Sequence, residues 1–183
     1  MARLPYVDPA TASDTVRDTL NRMPVQLAIF RMMAHAETNF RSLVRFGGDI
    51  LGKQQLSGKL RELAILRVAQ QSPARYEWVQ HVPIAKAAGA SDAQVAALER
   101  GDITAACFDA REQVLLRFAD ELIHKVKVSD ATFVAAQKEF PAREIVELIF
   151  AVGFYMMIAR LLETTAVDIE ADAGTTIVDS LKS

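Results

Sequence analysis

The stretch from Ser57 to Gly89, SGKLRELAILRVAQQSPARYEWVQHVPIAKAAG, constrains the fold of this chain more than any other. Apolar residues recur at helical spacing on both sides of a break at Gln71–Ser72–Pro73, so two consecutive helices are predicted. Ser57 is the expected N-cap of the first, Pro73 is expected in the first turn of the second, and Gly89 is its expected C′ residue. On the first helix Glu62 shares a face with Ile65, Leu66 and Ala69. That sets a carboxylate on an apolar surface, where burial raises its pKa unless a partner offsets it. On the second, Glu77 and His81 stand at i and i+4 and are neighbours. Ala74, Ala85 and Ala88 share their face and Trp78 flanks it. Small residues beside a Glu/His pair leave room for a ligand, which makes this face the candidate site.

The rest of the chain reads as helix after helix. Residues 1–22 form a leader punctuated by Pro5 and Pro9, with a short helical piece near Thr15–Leu20. From Pro24 the apolar residues Val25, Leu27, Ile29, Phe30, Met32 and Met33 predict a helix. Another follows from about Glu37 to Leu51, where the pair Gly47–Gly48 either weakens it or lets a backbone or ligand approach. Beyond the central pair, Ser91–Asp92, Asp109 and Ser129–Asp130 mark three further helix starts, and Pro141 opens a long helix to about Glu163. From Thr164 on, periodicity is lost; this tail is expected to be loose or docked on a neighbouring chain. No strand-period alternation persists, so the expectation is an all-α single domain over residues 23–163, with a leader at 1–22 and a tail at 164–183.

With 183 residues and 51% of them hydrophobic, the chain can bury a substantial core. A formal net charge of −2 gives no electrostatic reason to expect nucleic acid or an anionic membrane as partner. The apolar run Leu148–Ala159 is shorter than the roughly 20 residues that span a bilayer. No secretory signal opens the chain, and the single cysteine, Cys107, suits a reducing compartment; a cytoplasmic protein is expected.

Each candidate has a plainer role open to it. Glu62 could be a buried partner for Arg61 or Arg67, and His81 a satisfied core histidine. Tyr76 and Trp78 wall either a core or a ligand pocket. Arg67 and Arg160 read as structural ion-pair partners, although an acid substrate would need one such arginine. Two carboxylates and an imidazole would make a weak three-ligand metal site only if all three converged. Pro83 removes the hydrogen bond to the Val79 carbonyl and kinks the second helix. His124 is explained by charge–dipole placement at a helix end, and Cys107 reads as an inert thiol.

The segments RELAILRVA, YEWVQHVPIAKAAGASDAQVAAL and ELIFAVGFYMMIAR together resemble the carboxymuconolactone decarboxylase and alkylhydroperoxidase D (AhpD) family. The resemblance implies an AhpD-like helical fold assembled as dimers, trimers or hexamers. It aligns His81 with the family histidine and Glu62 with the relay glutamate of the peroxidase branch. Ala74 and Glu77 occupy the two positions where that branch carries Cys-x-x-Cys, so its disulfide chemistry loses its centre. The decarboxylase branch lacks the cysteines and has a glutamate four residues before its histidine, as Glu77 is here.

These readings lead to a cofactor-independent, metal-free acid–base enzyme acting on a small organic acid or lactone. His81 is expected as principal acid/base, Glu77 as its orienter or a second base, and Glu62 as a buried proton relay. Tyr76, Trp78 and Arg67 are expected to bind substrate. The alternatives are an antioxidant peroxidase, which would need Cys107 at the site or a thiol from a partner subunit, and a non-catalytic oligomeric ligand-binding module.

Overall fold

The computed structural model describes residues 1–170 and 174–181. Among these residues there is no strand; ten helices form an all-α bundle. The central pair is α4 (Gly58–Gln71) and α5 (Arg75–Ala87). Ser57 caps α4 by accepting from the Leu60 amide at 3.4 Å. Pro73 stands two residues ahead of α5 rather than in its first turn, and Ala74 takes the N-cap position. Gly89 ends α5 at φ +102°. Its amide and that of Ala90 bond back to Lys86 and Ala85 at 3.0 and 2.9 Å, the paired closure that a left-handed C′ residue permits.

α4 is buried along nearly its whole length, from Leu60 to Ala69. It packs against α5, against α7 (Ala110–His124) and against α9 (Ala142–Thr165). α6 (Asp92–Glu99) and α8 (Asp130–Glu139) complete this main core. α9 spans 24 residues and is long and apolar enough to cross a membrane, but half of its most apolar window is buried against other helices of the chain.

A second cluster of buried side chains gathers the leader, α1 (Asp14–Asn21), α2 (Ala28–Met33) and α3 (Glu37–Lys53) around Tyr76 and the end of α9. α2 is shorter than the apolar pattern from Pro24 suggests, because Leu27 is extended and serves as its N-cap. In α3, a Cβ on Gly47 would lie 3.0 Å from Cζ of Phe154. Gly47 thus lets α3 and α9 approach, while a Cβ on Gly48 would face Leu181 at 3.6 Å.

The tail departs from expectation. Val167 is buried, and Glu170 accepts from the Ala28 amide and from the Tyr76 hydroxyl, so residues up to 170 dock on their own chain. A further helix, α10 (Gly174–Ser180), packs on α5. Residues 171–173 and 182–183 of the tail lie outside the described part.

Candidate active site

The site is built on the two helices that the sequence singles out, but its internal bonding differs from the expected one. Glu62 on α4 has no exposed surface, and both its oxygens are engaged. Oε1 accepts from Nε of Arg61 at 3.2 Å and Oε2 lies 2.8 Å from Nδ1 of His81 on α5. A carboxylate only accepts, so in the neutral imidazole Nδ1 carries the proton and Nε2 keeps its lone pair. The residue that orients His81 is therefore Glu62. The i, i+4 geometry of Glu77 and His81 makes them neighbours without making them partners.

Glu77 is 2% exposed, and neither carboxyl oxygen has a hydrogen-bond partner among the described residues. Burial pushes its pKa well above the carboxylate range, and the nearby charge of Glu163 adds to the shift. A neutral carboxylic acid is a hydrogen-bond donor that still lacks an acceptor. Tyr155 of α9 meets the His81 ring edge to face, with centroids 4.8 Å apart. Burial, followed by the charge of Glu62, holds its phenol protonated. Tyr76 donates to Glu170 at 3.0 Å, and burial raises its pKa as well.

Glu77, His81, Tyr76, Gln80 and Tyr155 line one cavity of about 540 Å³. Glu62 stands behind His81 and is not on its wall. The remaining wall comes largely from outside the central pair: residues 22–33, α3 with Gly47 and Gly48, the C-terminal half of α9, and Ile177 and Leu181 at the end of the chain. Ala74, Ala85 and Ala88 do not line it, so they are not what leaves the space open. In the sequence, the glycine pair and the apolar residues from Met23 to Met33 are the signals that point to this wall.

Several candidates lie elsewhere. Arg67 is buried and bonded to Asp120, to Oε1 of Gln70 at 2.7 Å and to the Gly101 carbonyl. It is a structural tie between α4 and α7 and does not reach the cavity. Trp78 faces a separate hollow of about 240 Å³ beside Arg75 and Glu99. Arg160 bonds to the Met156 carbonyl of its own helix. Cys107 is half-buried between α6 and α7 and does not line the cavity. Among the described residues, no three His, Cys, Asp or Glu side chains group as metal ligands.

Residues 37–121 match the model of the carboxymuconolactone decarboxylase family, a span that holds Glu62, Glu77 and His81. No curated protein matches the chain. Among solved structures, an uncharacterized peroxidase-related protein from Silicibacter sp. TM1040 is similar at 20% identity and a TM-score of 0.78, covering 93% of this chain and 92% of that one. A peroxidase-related protein with an alkylhydroperoxidase AhpD core from Ralstonia eutropha JMP134 gives 17% identity and a TM-score of 0.78, covering 99% and 94%. A cysteine-to-alanine variant of the debrominase Bmp8, in complex with 2,3,4-tribromopyrrole, gives 14% identity and a TM-score of 0.73, covering 98% and 96%. At these identities the structural likenesses speak for the fold alone.

Proposed function

We propose that this chain, whose residues 37–121 match the model of the carboxymuconolactone decarboxylase family and whose fold is AhpD-like, is a cofactor-independent enzyme of acid–base type. Its reaction is proton transfer at a carbon conjugated to a carbonyl, with decarboxylation of an organic acid or lactone acid as the leading case. The observation that carries this reading is the buried Glu77, its carboxyl without a hydrogen-bond partner among the described residues, on the same cavity wall as an imidazole bonded to Glu62.

In the decarboxylation, the bond between the carboxylate carbon and its neighbour breaks and carbon dioxide leaves. The electron pair moves into the conjugated carbonyl, whose oxygen accepts a hydrogen bond from neutral Glu77. Protonated His81 then delivers its proton to carbon and regains one from water. Glu62 holds Nδ1 throughout, so Nε2 is the nitrogen that exchanges the proton, while Arg61 fixes the other oxygen of Glu62. Apolar walls favour loss of the carboxylate charge as carbon dioxide forms.

The test is a screen of β,γ-unsaturated lactone acids, following carbon dioxide release and deuterium incorporation from heavy water. His81→Gln is expected to lower turnover by roughly 10²–10⁴-fold, and Glu77→Leu to lower it with binding of the product retained. Turnover by His81→Gln at the rate of the unmodified chain would sink the reading. The antioxidant alternative gains no support from the placement of Cys107, which is away from the cavity.

A further inference from the structure

The walls beyond the acid–base groups restrict what can occupy the cavity. Apart from its acid–base end, the lining is dominated by side chains such as Leu27, Ile29, Phe30, Met33, Phe154 and Leu162. Glu77 is the one acid among the described lining residues, and burial keeps it neutral. The other charged lining groups are three arginines, Arg22, Arg41 and Arg45, all exposed. Arg22 is the C-cap residue of α1, and Arg41 and Arg45 stand one turn apart on α3, which packs against α1. Arg45 has a distant ion pair with Asp49 at 3.9 Å. The side chains of Arg22 and Arg41 make no hydrogen bond or ion pair among the described residues. An apolar hollow of ligand size thus has exposed arginines among its lining groups, an unpartnered carboxyl at its acid–base end, and no second acid among its described lining residues.

We propose that the ligand is an amphipathic organic anion, with an apolar body in the cavity, a carboxylate held at the rim by Arg22 and Arg41, and a carbonyl turned toward Glu77 and His81. The inward carbonyl rests on the acid–base reading; the rim contact stands apart from it. The guanidinium fork matches a carboxylate in two parallel hydrogen bonds and stays charged at every working pH. The apolar body leaves water for the lining side chains. A carboxylate anchored at the rim is not the reacting group; it decides which end of the molecule enters first.

Isothermal titration with decanoate and with decan-1-ol, both below their aggregation limits, tests the rim. Decanoate is expected to bind at least about five times more tightly than decan-1-ol. The double variant Arg22→Gln/Arg41→Gln, altered only at exposed positions, is expected to lose roughly five- to tenfold in decanoate affinity and nothing for the alcohol. Raising salt from about 50 to about 500 mM is expected to weaken decanoate alone. No binding of decanoate, equal binding of the two probes, or unchanged decanoate affinity in the double variant would each overturn the proposal. The decanoate titration and the deuterium experiment are read independently, so a failure of catalysis leaves the rim result standing, and a failure at the rim leaves the deuterium experiment standing.

Discussion

Ionising Glu77 would bury a charge whose two oxygens have no hydrogen-bond partner among the described residues, with Glu163 adding repulsion. The folded chain therefore keeps this proton to a higher pH than the unfolded chain does. Above the ordinary value of 4.5 the unfolded chain loses the proton first. Stability then falls with rising pH until the folded group ionises too, at most about tenfold in the folding equilibrium per pH unit. Glu77→Gln removes this dependence, and its denaturant midpoint is expected to exceed that of the unmodified chain at about pH 8 but not at about pH 4. Glu62 is the opposite case, a buried acid with both oxygens bonded. Glu62→Ala leaves Arg61 and His81 without their partner, and chemical denaturation is expected to show a loss of about 3–5 kcal/mol. The sequence shows both glutamates facing apolar surroundings but not which one holds His81. That depends on how α4 and α5 are rotated against each other, and helical spacing within one helix carries no such information.

At the level of helices, terminal chemistry is the most legible part of the chain. Ser91 and Gln94 form a capping box on α6, and Asp109 and Glu112 form another on α7. The two boxes are joined by Nε2 of Gln94 donating to Oε2 of Glu112 at 2.8 Å. Gly89, at φ +102°, closes α5, and Gly89→Ala is expected to cost about 1 kcal/mol in denaturant unfolding. Gly47→Val is a packing test: with Phe154 already 3.0 Å from the site of a Cβ, overpacking of about 1–3 kcal/mol is expected, along with a narrower cavity. Elements whose signals lie in their neighbours were not legible. Arg67 looks available on its own helix because Asp120, 53 residues away, is what engages it. α10 has no strong periodicity and is defined by docking on α5.

On the scale of the whole subunit, the cavity lies along the seam between the two buried clusters. Leu51 and Tyr155 line it from the main core side, and Tyr76, Ile158 and Leu162 from the leader side. A ligand there contacts both, so a bound ligand is expected to raise the unfolding temperature as mass action requires. The leader side is itself held by bonds between distant parts of the chain. The Arg3 amide donates to the Thr165 carbonyl at 2.8 Å, and the Asp168 amide to the Tyr6 hydroxyl at 2.8 Å. Tyr6 in turn donates to the Asp168 carboxylate at 3.0 Å, across a separation of 162 residues. Such contacts close a loop nearly as long as the chain, and they form late because that closure costs entropy before it returns anything. Once residues 164–168 detach, the leader loses its described anchors to that length of chain, so the two ends should open as one cooperative unit. Native-state hydrogen exchange at the amides of Arg3 and Asp168 is expected to report one shared opening free energy, below that of the α4 amides.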